Sequence, residues 1–198
     1  MIDLLSEQFV RSERLTKEEV QLALKGVAPL VTEQRLRWGR ELGETVPLSL
    51  TEQEGNRIGK ALQKWLVKRM ETRPAEPFVV TSPKEWPDDV RSAAERALRE
   101  SSGTEFTEAF DRTCREAGVF VGEIIRLRDP TRYWTIAHYR QFDGMNNSLS
   151  LCSNIKGRAV FHPTKMICGI MYRCHVLCDE AEPYKNGIAR LIRAYASS

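Results

Sequence analysis

The sequence predicts an α+β fold: a helical N-terminal part, then a small, mostly antiparallel β-sheet, then a C-terminal helix. Three observations carry this. Up to about Gly118, apolar residues recur at spacings of three and four behind Ser/Thr caps. After Gly118 the period shortens to two, and Asp129-Pro130, Asp143-Gly144 and Asn146-Asn147 punctuate alternating runs as turns do. From Tyr184 to Ala196 a helical stripe returns through Ile188, Leu191, Ile192 and Tyr195. The organisation that follows is a helical region over 1–71, a proline-rich connector over 72–87, and a unit over 88–198 holding a helix pair, the sheet and the last helix.

Each element has a local reason. Thr16 with Glu19 forms a capping box, and Gly26 offers a stop. A second helix starts near Pro29 or Thr32, carries Leu36 and Trp38, and ends at Gly43. A third begins at Ser49 with Glu52 as its box partner and sets Ile58, Leu62, Trp65, Leu66 and Met70 on one stripe. Pro74, Pro77, Pro83 and Pro87 around Phe78-Val79-Val80 exclude helix, because proline lacks the amide donor and clashes with the preceding turn. Helices over Asp88 to Glu100 and Thr104 to Ala117 follow, the second closed by Gly118. Beyond it a hairpin turns at Asp129-Pro130, a short strand runs from Ser148 to Cys152, and a longer one from Met166 to Cys178.

Gly122 to Asp129 followed by Trp134-Thr135-Ile136 is similar to the opening strands of SH3-like small barrels, including chromatin and ribosome-associated modules. The resemblance implies an SH3-like barrel in place of an open sheet. It spans about an eighth of the chain, and no functional residue is carried over from it.

Composition bounds the function. The 198 residues have ordinary apolar and charged fractions, so the chain has material for a core. No basic leader precedes an apolar run, and no window approaches the ~20 apolar residues of a membrane span. Membrane partners are therefore not expected. Five cysteines, an odd number with four between Cys152 and Cys178, fit reduced thiols in a cytoplasmic or nuclear setting.

Charge is segregated. Residues 119–178 carry eight Lys/Arg against three acids, while the whole chain is only +3. If Val119 to Arg128 is a strand, Arg126 and Arg128 project from one face, and the second strand offers Tyr133, Trp134 and Tyr139. Guanidinium groups neutralise phosphates, and aromatic faces stack on unpaired bases. The candidate set is Arg126, Arg128, Arg132, Arg140, Lys156 and Arg158 for phosphates and Tyr133, Trp134 and Tyr139 for bases. The competing reading is a plain solvated sheet, since strands favour aromatics and Arg covers solvent faces. The function expected is thus a non-enzymatic nucleic-acid-binding accessory or packaging protein for RNA or single-stranded DNA. A self-assembling structural or adaptor protein, seamed by helix 49–71, is the alternative.

Chemistry elsewhere is weaker. Cys152, His162, Cys168, Cys174, His175 and Cys178 lack C-x-x-C spacing, and along a strand Cys174 and Cys178 lie about 13 Å apart, so neither metal nor cofactor is expected. Alternation would instead make Cys168, Ile170, Tyr172, Cys174, Val176 and Cys178 a core stripe. A cysteine hydrolase is the third reading, with Cys152 or Cys174 as thiolate and His162 as the better base. No phosphate-loop, dinucleotide, zinc-protease, nucleophile-elbow or zinc-deaminase motif is present.

Overall fold

The computed structural model describes residues 3–5, 15–74, 104–137, 148–156, 160–176 and 186–196. The expected helix over 88–100, the Phe78-Val79-Val80 run and the Asp143-Gly144 turn lie outside these residues.

The N-terminal part is helical, as expected. Helix α1 (Lys17–Lys25) starts on the Thr16/Glu19 capping box. Helix α2 (Val27–Leu42) ends at Gly43, whose φ of 65° is the left-handed cap that glycine adopts without steric cost. Helix α3 (Glu52–Lys68) uses Thr51 with Glu54, two residues beyond the expected box. Its stripe of Ile58, Leu62 and Leu66 is buried.

The centre of the molecule is helix α4 (Glu108–Arg128), capped by the Thr107 hydroxyl, which accepts from the Phe110 amide. This overturns the expected hairpin: Val119 to Arg128 is the second half of a 21-residue helix. Gly118 is therefore an interior residue and not its stop. The misleading period has a physical source. Every residue from Ala117 to Ile125 is buried, and a helix buried on all sides has no polar face to reveal its repeat.

Strand β1 (Thr72–Pro74) pairs antiparallel with β2 (Thr104–Phe106) just ahead of α4. Strand β3 (Arg132–Ile136) follows α4 and pairs antiparallel with β4 (Leu149–Ser153), setting Tyr133 opposite Cys152 and Thr135 opposite Ser150. Phe161 bridges to Leu151 from the other side of β4. The described residues thus hold two small antiparallel sheets and no closed barrel.

Helix α5 (Pro163–Val176) replaces the expected strand over Met166 to Cys178. Pro163 occupies a first helical position, where its missing amide and fixed φ suit a helix start. The buried Thr164, Ile167 and Met171 recur at three and four, so the cysteine stripe on a strand face does not form. Helix α6 (Gly187–Ala196) is the expected C-terminal helix. It runs antiparallel along α3: a Cβ at Gly59 would meet Ala189 Cα at 2.8 Å, and one at Gly55 would meet Ile192. The buried Gln63 side chain joins three helices. Its carbonyl accepts from the Ile188 amide at 3.0 Å, satisfying an orphan donor of α6, and its amide reaches Cys174 Sγ on α5.

The main core takes Trp38, Ile58, Leu62 and Leu66 from before the proline-rich connector, and Phe120, Ile124, Met171 and Ile192 from after it. Trp38 meets Trp65 edge-on at 4.9 Å and lies nearly parallel to Phe120. Each such fully buried side chain contributes about 1.5–3 kcal/mol. A second cluster sets Val27 and Val31 with Val119, Ile136 and Leu149.

Candidate nucleic-acid interface

The arginines expected to form one surface are dispersed by α4. Arg126 donates through Nε and Nη2 to both oxygens of Glu123 at 2.7 and 2.6 Å. Glu123 is buried and also accepts from Trp134 Nε1 at 3.3 Å. The Arg126 charge is thus answered by a buried carboxylate one turn away. Arg132, its side chain 1 % exposed, pairs with Asp129 at 3.3 Å and donates to the Tyr195 carbonyl at 2.9 Å. It also lies over the Tyr195 ring, which ties β3 to α6. Arg128 lies against Gly55 of α3, and its Nη1 is buried with no hydrogen-bond partner among the described residues.

Trp134 is half-buried beneath α4, leaving Tyr133 as the exposed aromatic of β3. Lys156 is exposed after β4. Tyr139, Arg140 and Arg158 lie outside the described residues. Of the expected set, then, the structure exposes Tyr133 and Lys156 and gives Arg126 and Arg132 structural partners.

Sheet register creates a cluster that motif reading missed. Ser148 and Ser150 share a face of β4, and the Phe161 bridge brings His162 beside them. His162 Nδ1 lies 2.8 Å from Ser150 Oγ and 3.3 Å from Ser148 Oγ, with both serines fully buried. The Ser-Leu-Ser-Leu-Cys alternation was the available signal, but nothing in sequence placed His162 opposite it. The cluster ties β4 to the start of α5, so Ser150→Ala should lower stability by about 1–3 kcal/mol in urea denaturation, because it strips a buried ring nitrogen of a partner.

Three of the thiols, Cys114, Cys152 and Cys174, are biased towards the protonated form. A hydrogen bond shared with Cys168, then burial, pushes the Cys114 pKa up. Burial raises Cys152, partly offset by Arg132, and raises Cys174, partly offset by Gln63. A thiolate nucleophile needs the opposite shift. Cys178 lies outside the described residues. Among the described residues, no three His, Cys, Asp or Glu side chains are placed to hold a metal ion.

The densest run of exposed basic residues among the described residues lies on α3 and α6. From Asn56 to Met70 the chain carries Arg57, Lys60, Lys64, Lys68 and Arg69 with no acid, and Gly187 to Ala196 adds Arg190 and Arg193 with none. All seven residues are exposed. Arg57 is paired with Glu44. Lys60, Lys64 and Lys68 follow at steps of four, about 6 Å apart along the axis and on one face. Helix α6, which carries the exposed Arg190 and Arg193, packs alongside α3. Sequence reading passed over these residues because the charge count was dominated by the arginines after Gly118.

No helix among the described residues is long and apolar enough to cross a membrane. Comparison of the chain with protein-family models, curated proteins and solved structures finds no match.

Proposed function

We propose that this protein is a non-enzymatic nucleic-acid-binding accessory or packaging factor of a cytoplasmic or nuclear setting, which holds a phosphate backbone against the outer face of α3 and α6. The observation that carries this reading is the exposed row of Lys60, Lys64 and Lys68 on α3, in a stretch from Asn56 to Met70 that holds no acid. One strand of a duplex presents a phosphate per ~3.4 Å of axis and an extended single strand a longer step, so a helix with a lysine every ~6 Å can meet every phosphate or every second phosphate of a backbone laid along it. Such contacts act through counterion release and need no base recognition.

The test is affinity for a labelled single-stranded oligonucleotide as a function of salt. Log affinity should fall steeply with log salt. Replacing Lys60, Lys64 and Lys68 together by alanine should flatten the slope by about 2, at ~0.7 per phosphate contact. These side chains are exposed, so the fold should survive the change. An affinity indifferent to salt would falsify the reading.

The adaptor alternative draws on Leu22, Leu36 and Leu48, each more than half exposed in the N-terminal part. Its expected seam is not free, because the apolar stripe of α3 is turned into the chain's own core. Concentration-dependent assembly that ignores nucleic acid would favour it.

A further inference from the structure

We propose that the groove at the C-terminal end of α3 receives one planar heteroaromatic base bearing a single phosphate, a nucleotide unit of the strand laid along the lysine face; this rests on the nucleic-acid reading above. The groove is an open one between Trp65, Lys68, Arg69 and Met70 at the end of α3 and Phe110 and Thr113 in the first turns of α4, with a volume of about 490 Å³. That volume falls within the ~300–1,000 Å³ of small-molecule sites.

Its chemistry matches a nucleotide in two respects. The Arg69 guanidinium lies over the Trp65 ring, 4.0 Å from its centre. The indole covers one side of that plane, and Arg69 is exposed, so the other side is open to a ring laid upon it. Lys68 closes the row that begins at Lys60, so a phosphate beside the ring continues the backbone track instead of standing apart from it.

Glu71 sets the charge limit. It lines the groove, and its Oε2 is 3.4 Å from the Thr107 hydroxyl, so a carboxylate stands beside the cations. Lys68 and Arg69 can answer one phosphate at the rim, while Glu71 opposes a chain of several. The site therefore favours a nucleoside monophosphate unit over a triphosphate.

The experiment measures anisotropy at fixed salt for the full chain with two labelled strands of equal length and charge, an oligothymidylate and an abasic strand. The base-bearing strand should bind roughly five- to a hundredfold tighter, the span that stacking of one base supplies. Arg69→Lys keeps the charge and removes the plane. It should shrink that preference to under about twofold while leaving the salt dependence in place. Equal wild-type affinity for both strands overturns the base groove and leaves the backbone reading standing, whereas failure to bind either strand overturns both. Thymidine monophosphate that displaces the base-bearing strand would assign the groove to free nucleotide as well. Thymidine triphosphate competing better than the monophosphate would overturn the charge limit assigned to Glu71.

Discussion

Arg126→Ala should destabilise the fold by about 4 kcal/mol and leave the salt dependence of nucleic-acid binding unchanged. Its partner Glu123 is only 4 % exposed, and both of its oxygens are satisfied by the Arg126 fork. Removing the arginine leaves a buried carboxylate with the Trp134 N–H as its remaining described donor. Breaking such a pair from one side costs about 3–5 kcal/mol, because the orphaned charge keeps its desolvation penalty. The converse, Glu123→Ala, should cost less, about 2–3 kcal/mol, since the partly exposed Arg126 can turn towards water while Trp134 loses an acceptor. The double substitution should then be milder than the sum of the two, and urea midpoints with unchanged slopes measure the coupling. A midpoint unmoved by Arg126→Ala, with a flattened salt slope, would return this arginine to the phosphate-binding role that the sequence suggested.

That reversal of role shows what the sequence could and could not convey. The capped helices were legible because capping is local: Thr16 and Glu19 sit three residues apart wherever the chain goes. The C-terminal helix was legible because one side of it meets solvent and so preserves a helical period. Helix α4 was legible only in its first half, expected over Thr104 to Ala117; beyond Gly118, Val-Phe-Val-Gly-Glu-Ile-Ile is buried on every side and reads equally well as a strand. Once it was read as a strand, alternation gathered Arg126 and Arg128 into one patch, whereas at helical spacing one faces Glu123 and the other lies against Gly55 of α3. Helix α5 failed for a related reason: its cysteines satisfied a period of two by coincidence, while Pro163 marked the start. The basic face of α3 was visible in the residues themselves. It became a surface only when packing showed which side of the helix the core had taken.

The close approach of α4 and α5 supplies the second large effect. Gly118→Val should destabilise by at least about 3 kcal/mol, the upper part of the range for overpacked sites. A Cβ at Gly118 would lie 2.6 Å from Thr164 Cα and 2.7 Å from the Pro163 carbonyl oxygen, both backbone atoms that no rotamer change can move aside. Relief requires the start of α5 to withdraw. That start is fixed by Phe161 in its bridge to β4 and by His162 between two buried serines. The strain should therefore spread to the sheet, and hydrogen exchange at β4 should accelerate along with that in α5. Gly169 provides the control on the same helix pair. It lies in α5, exposed, with nothing within 4 Å of the position its Cβ would take. Gly169→Ala should accordingly stabilise by about 0.5–1 kcal/mol, the ordinary helix preference for alanine over glycine. Opposite signs at the two glycines would show that backbone contact, not helix propensity, makes Gly118 a glycine. Equal and favourable effects at both would mean that the two helices stand further apart than described.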